Sequence, residues 1–408
     1  MFLQTIQTEN FIPLIILLGI VIVFSTLIYV FKINIKAAFS IQILLGIIIG
    51  PWFNQFIASH DMERVVQVLY VIGFVLLMFL SGYDCNYEVI KRKEEIPIVR
   101  TVVKMFLLMY LLSFGSSLFF MDYFNNKITG IILMTLAFAT TFAGVVIPLV
   151  HTMGIAEHCT GKIISTFATI AELASILGLS AFMIVMRGAE GQAWLLIVIL
   201  IILGLLLINR KYNWVRKVDE AMPGNHFSLK VTLFILLVVV LLSDLSGGEY
   251  ILGAFLLGMV LKLLRPSDDV ILTIENIGYG VFFPMFFVLL GTRIDIVYFV
   301  KHQEIWLLTI ILTLLIILVK IPAIMLLKWF NVRTIFSVMM IISCTIIVTY
   351  AVEHIGLSLH IFDETFAEAL KVASIITCII PPLLFEWLMP RKDDIKHKHI
   401  HKGIDCNA

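Results

Sequence analysis

Apolar runs long enough to cross a bilayer recur along the whole length of this sequence. A helix needs roughly 20 apolar residues to span the hydrocarbon core. Thirteen such segments are read, at approximately 11–31, 33–56, 64–83, 99–121, 128–150, 162–186, 193–209, 227–243, 249–264, 271–291, 305–327, 332–352 and 367–389. Inside lipid each segment must satisfy its own backbone amides, so runs of this kind become helices. The fold expected is an all-α polytopic membrane protein with about 13 transmembrane helices. Composition agrees, since 61% of residues are hydrophobic and 14% charged, where soluble chains carry about 25% charge. That excludes a soluble enzyme, and no enzymatic activity is expected. The formal net charge of +1 gives no reason to expect nucleic acid as a partner. The five cysteines, Cys85, Cys159, Cys344, Cys378 and Cys406, are odd in number and lack a Cys-x-x-Cys pair. This argues against a disulfide framework and a structural zinc site.

Positive charge orients the segments, because short cytoplasmic loops hold an excess of Lys and Arg. Loops after odd-numbered segments, with the tail, carry twenty, including Lys91–Arg92–Lys93, Arg210–Lys211 and Arg216–Lys217. The opposite loops carry five: Arg64, Lys127, Arg187, Arg293 and Lys301. The N-terminus is therefore expected outside and the C-terminus in the cytoplasm of a cell membrane. The leader MFLQTIQTEN has no Lys or Arg, so the first segment reads as a span rather than a signal peptide. No P-loop and no nucleotide-binding domain is found, which argues against ATP-driven pumping.

Thirteen spans permit an inverted repeat, a common plan of secondary transporters. Segments 2 and 9 share Gly-spaced runs, LLGIIIG at 44–50 and ILGAFLLG at 251–258. Segments 3 and 10 end similarly, in FLSGYD at 79–84 and VLLGTRID at 288–295. Segments 2–6 and 9–13 would form two inverted five-helix repeats, although glycine spacing also arises from membrane helix packing alone.

A charge near the bilayer centre costs at least about 2.5–3.5 kcal/mol, so deep charges are functional candidates. Lys104, Glu275, Lys371 and Glu386 lie near segment ends and read as bland. Glu172 and Lys320 are central to segments 6 and 11. Thr169 and Ser175 stand three residues either side of Glu172 and share its helical face. A carboxylate among hydroxyls suits a hard cation such as Na⁺. Left bare in lipid surroundings it is unstable, so it must hold a proton, a cation or an ammonium group. Competition of H⁺ and Na⁺ for one carboxylate suffices for exchange, with Lys320 as an internal counter-charge closing the empty site. The alternatives are a structural protonated carboxyl at Glu172 and, for Lys320, bonding to helix-end carbonyls. Segment 5 carries Thr140–Thr141, Gly144 and Pro148, a set that favours a break within the membrane. Free carbonyls at such a break can bind cations. Ser343–Cys344–Thr345 is a matching polar interruption in segment 12, where a second broken helix is expected.

Taken together, QILLGIIIGPW at 42–52, FVLLMFLSGYDCNYEVIKR at 74–92, TLAFATTFAGVVIPLVHTMGI at 135–155, ATIAELASI at 168–176, YILGAFLLGMVL at 250–261 and FFPMFFVLLGTRID at 282–295 resemble the monovalent cation:proton antiporter-2 family. The resemblance implies thirteen helices in inverted repeats, with two crossed, broken helices in segments 5 and 12. It also implies a homodimer in which a mobile core moves against a dimer panel. Residues 1–98 and 227–304 would form the panel, 99–186 and 305–389 the core, 187–226 a linker, and 390–408 a basic tail. By position Glu172 matches the essential membrane carboxylate, Lys320 the lysine of segment 11, and Thr140 and Thr141 the first break. Family members commonly carry two polar residues where this chain has Ala171–Glu172, and the first is the lysine's usual partner. One carboxylate implies electroneutral exchange, one H⁺ per cation. Many relatives carry a nucleotide-sensing domain, and none is expected here.

The reading is an antiporter exchanging Na⁺, or else K⁺ or Li⁺, for H⁺ in a prokaryotic cell membrane, serving pH homeostasis. No cofactor is expected beyond the transported ions. Its rivals are a symporter of a small organic solute and a non-transporting membrane sensor. His397, His399 and His401 in the tail, with His151 and His158, are candidate pH sensors, although the tail also suits a basic anchor on anionic lipid.

Overall fold

The computed structural model describes residues 19, 23, 38–59, 62–84, 96–156, 158–187, 227–245, 250–264, 268–294, 299, 301–328 and 330–389. Apart from two isolated positions in the first, the first and seventh apolar segments lie outside the described residues. So do most of the linker and the histidine-bearing tail. Among the described residues the chain is helical, and its one extended pairing is an isolated bridge between Phe124 and Phe362. In chain order the helices are α1 Ala38–Ser59, α2 Glu63–Asp84, α3 Ile96–Ser117, α4 Lys127–Ala139, α5 Ala143–Thr152, α6 Cys159–Arg187 and α7 Phe227–Leu245. They continue as α8 Tyr250–Leu264, α9 Asp268–Ile277, α10 Phe283–Thr292, α11 Glu304–Leu318, α12 Val332–Ile342, α13 Ile347–Ser358 and α14 Glu364–Leu388. Among the described residues eight stretches are long and apolar enough to cross a membrane, or nine with the bent pair α12–α13. This is a multi-pass membrane fold.

Proline interrupts two segments that periodicity predicts as continuous. In the tenth, a π turn at Gly278–Phe282 joins α9 to α10, with the Phe283 N–H reaching Gly278. Pro284 lacks the N–H that the Gly280 carbonyl would accept, and the extra residue absorbs the mismatch. In the eleventh, α11 ends at Leu318 and a 3₁₀ helix runs over Ile321–Lys328. Pro322 cannot donate to Leu318, and it disfavours α-helical backbone at the residue before it. Lys320 thus sits in the turn between two kinds of helix.

Contacts divide the chain into two units. The first takes in Ile48–Cys85 and Ser180–Arg293, and the second Asn86–Leu179 and Ile294–Ala408, besides shorter N-terminal pieces. In the first, α2 packs on α8 and α10. The backbones of α2 and α8 approach so closely that a Cβ on Gly82 would strike the Phe255 carbonyl, and one on Gly258 the Phe79 carbonyl. In the second, α14 packs on α11, α12 and α13, and α4 packs on α3 and α13. Phe120, Phe124, Phe362 and Phe366 stack edge-on and tilted at one end of this unit. Although the sequence argues against a disulfide framework, Cys159 is disulfide-bonded.

Candidate functional site

The site lies within the second unit and is built from two interrupted helices that meet at their interruptions. Between α4 and α5 the chain is extended, with Thr140 at φ −68°, ψ 159° and Phe142 at φ −83°, ψ 96°. Between α12 and α13 the direction changes by 41° across Ser343–Ile346. An interrupted helix loses backbone bonds that lipid cannot replace, so each must find another partner. The Phe142 N–H donates to the Cys344 carbonyl at 2.8 Å. The Thr141 hydroxyl donates to the Ile342 carbonyl, the last of α12, at 2.7 Å. The Thr349 hydroxyl reaches the Ala137 carbonyl at 3.4 Å. Each break is thereby the other's hydrogen-bond partner.

The remaining ends are met by charge. Ala143 opens α5, and its N–H donates to Glu172 Oε2 at 2.9 Å. A helix N-terminus carries partial positive charge, which favours a carboxylate there. At the other side of the same break Lys320 Nζ donates to the carbonyls of Phe138 and Thr140, at 3.0 and 2.6 Å, and approaches Met109 Sδ at 3.4 Å. These carbonyls close α4, the negative end of a half-helix. One helix terminus is thus matched by an acid and the adjoining one by a base. Glu172 and Lys320 are each 1% exposed. They form no ion pair, and Glu172 Oε1 has no hydrogen-bond partner. Ala171, fully buried, puts a methyl group where the resemblance leads one to expect a second polar side chain. Lys320 takes backbone oxygens instead.

The other predicted ligands differ in how they are engaged. Thr169 is buried, with its hydroxyl unpartnered. Ser175 is tied to the Tyr110 hydroxyl at 3.2 Å. The Thr140 carbonyl serves Lys320, and Thr141 donates its proton to α12. At the second break Ser343 bonds back to Met339 at 2.6 Å, and Thr345 pairs with Thr377 of α14 at 3.2 Å. Cys344 and Cys378 are free thiols with sulfurs 3.5 Å apart.

Sequence reasoning passed over several groups. Tyr110 and Met109, adjacent on α3, reach Ser175 and Lys320. A lone phenol in the apolar run KMFLLMYLLSF was the available signal. Lys371 was read as an end residue, yet it is 13% exposed and pairs with Glu353 at 3.5 Å and with Glu368 one turn away. An ammonium that cannot reach water takes acid partners instead, and Glu353, 5% exposed, comes from α13.

The sequence family described as sodium/hydrogen exchanger, transmembrane, matches residues 14–389. The "Putative Na(+)/H(+) antiporter YjbQ" of Bacillus subtilis is 30% identical over 97% of this chain, which spans 66% of that relative's length. The "Na(+)/H(+) antiporter" of Enterococcus hirae is 25% identical over 68% of this chain and 72% of its own. The solved sodium proton antiporter MjNhaP1 of Methanocaldococcus jannaschii superposes with a TM-score of 0.59. That match covers 92% of this chain and 96% of the other at 15% identity, a likeness of fold.

Proposed function

The chain belongs to the sodium/hydrogen exchanger family, and from that premise we propose that it exchanges a monovalent cation for H⁺ at Glu172. Na⁺ is the first choice, with K⁺ and Li⁺ as alternatives. One observation carries the reading: a carboxylate buried at membrane depth has one oxygen fixed by the Ala143 N–H and the other without a partner. A single N–H at a helix terminus does not neutralise a full charge, so the free oxygen must take a proton or a cation. The two compete for the same lone pairs. Thr169 offers a further oxygen on the same helical face, and Thr141, having donated its proton, keeps its own lone pairs for a cation.

Alternating access would come from an elevator-like movement of a core, residues 99–186 and 305–389, against a panel formed by 1–98 and 227–304. The panel would hold a homodimer together in a prokaryotic cell membrane, with the N-terminus outside and the C-terminus in the cytoplasm. Lys320 is bonded to backbone oxygens, which supports its keeping its proton through the cycle. Only Glu172 then changes occupant, giving electroneutral exchange, one H⁺ per cation. No cofactor takes part in this scheme, and the protein acts as a transporter rather than an enzyme.

The test is cation-driven proton flux in proteoliposomes, with membrane potential clamped and unclamped. Glu172→Gln keeps an oxygen for the Ala143 N–H and removes the charge. At about 2.4 Å and an effective dielectric near 20, a carboxylate–cation contact is worth about 7 kcal/mol, so the variant should fold and carry no flux. Flux retained by Glu172→Gln would overturn the site, and a strongly voltage-dependent wild-type rate would overturn the one-to-one stoichiometry.

A further inference from the structure

Hydroxyls within membrane helices normally bond back to a carbonyl three or four residues earlier. Among the described residues several helical hydroxyls do so: Thr135 to Ile131, Thr313 to Thr309, Ser337 to Arg333 and Thr292 to Leu289. On α6 the pattern fails twice in succession. Thr166 and Thr169 are both more than nine-tenths buried, and neither hydroxyl has a hydrogen-bond partner. One step further along is Glu172, whose Oε1 is likewise unpartnered. Spacing of three makes each residue the neighbour of the next, in a row that winds about 60° around the helix per step.

The row has direction. Ser175, next in the series, is closed by its bond to the Tyr110 hydroxyl. Exposure falls steadily along it, from 7% at Thr166 and 6% at Thr169 to 1% at Glu172 and 0% at Ser175. The Ser175 end is therefore sealed by a hydroxyl pair, and Thr166 is the least buried of the four. Unpartnered oxygens of this kind suit a hard monovalent cation shedding its water, because they replace hydration oxygens singly.

Resting on the exchange reading of Glu172, we infer that Thr166 and Thr169 form a hydroxyl ladder by which a dehydrating monovalent cation reaches Glu172. Thr166 is its outer rung and a specificity-determining contact. The ladder ends at the carboxylate, since the Tyr110–Ser175 pair blocks continuation.

Thr166→Val removes the hydroxyl with little change of shape, and Thr166→Ser keeps it. Thr309 of α11 has a buried, unpartnered hydroxyl on another helix, so Thr309→Val reports the general effect of losing one. Two measurements apply to the full chain: equilibrium binding of ²²Na⁺ to the purified protein, and the KM for Na⁺ in cation-driven proton flux. Thr166→Val should weaken both about two- to tenfold, the range of one modest hydrogen-bond-like contact. Thr166→Ser and Thr309→Val should stay within twofold of wild type. Equal weakening in the Val and Ser variants at 166, or an equal effect of Thr309→Val, would assign the change to packing and overturn the ladder. Unchanged Na⁺ binding in Thr166→Val overturns it as well. A wild type that binds Na⁺ without exchanging it would defeat the exchange reading, while the binding constants still decide the ladder.

Discussion

Lys320→Met separates two roles for the buried lysine. In the structure its ammonium closes α4 through the Phe138 and Thr140 carbonyls and makes no bond to Glu172. Hydrogen bonds from a charged donor contribute about 1.5–3 kcal/mol each, so two sum to about 3–6 kcal/mol. Methionine restores apolar contact along the same path, which leaves a net loss near the lower figure, about 3 kcal/mol. With 408 residues and an unfolding entropy of about 2.1 cal/mol/K per residue, that loss lowers Tm by about 3–4 °C. Thermal unfolding in detergent, followed by near-UV circular dichroism, reads this directly. The decisive measurement is the double-mutant cycle with Glu172→Gln. If Lys320 serves the helix end, the two losses add within about 0.5 kcal/mol. Groups forming one charged pair would instead be coupled by about 0.5–3 kcal/mol. A Lys320→Met protein that melts at the wild-type temperature, or strong coupling to Glu172, would refute the helix-closing role.

Four further expectations concern this unit and the other. Thr141→Val leaves the Ile342 carbonyl without its donor and should destabilise by about 1–3 kcal/mol, seen as a lower Tm with the helical circular dichroism unchanged. Lys371→Met strands Glu353 as an unpaired buried acid and should cost about 3–5 kcal/mol. Lys127→Met, which breaks the exposed pair with Asp122, should leave the same melt unmoved. Gly258→Ala would drive a methyl group into the Phe79 carbonyl, so a melting curve within 1 °C of wild type would refute that close approach.

Much of the architecture was legible because lipid permits so few solutions. An apolar run of about 20 residues has essentially one fate, and segments two to six and eight to thirteen each coincide with described helix. Interruptions were legible in part. Thr140–Thr141, Gly144 and Pro148 pointed to the first break, and the chain opens at Thr140–Phe142, where substitute partners for the backbone exist. Those partners are the Ile342 and Cys344 carbonyls, about 200 residues away, and a carbonyl has no residue type to read. For the same reason the choice of Lys320 between an acid and two carbonyls could be posed but not decided from letters. Thr169 and Ser175 look equivalent by spacing. The difference between them comes from Tyr110 on another helix, which periodicity along α6 does not encode.

The electrostatics of the crossing also explain how one acid and one base can coexist in lipid without neutralising each other. A direct pair would satisfy both charges and leave Glu172 with nothing to exchange. Here each charge is balanced by the opposite end of a half-helix. Lys320 is offset by the carbonyls of α4, and Glu172 partly by the N-terminus of α5. The offset is unequal by design of the atoms involved. Lys320 has two carbonyls and a thioether within reach, whereas Glu172 has one N–H on one oxygen. Partial charges at a helix end amount to about half an elementary charge, which leaves a residual negative potential at Oε1. In the exchange proposed, one monovalent ion bound there more than offsets it, and a second would add a further uncompensated charge to the same pocket. Ala171 adds no acid to raise that capacity. The proposed one-for-one exchange therefore rests on the charges at the two helix termini of the first break. Ala171→Asp should break it, by giving Lys320 an acid partner and converting the flux into a voltage-dependent one. An Ala171→Asp protein that exchanges cations with wild-type indifference to membrane potential would refute this account.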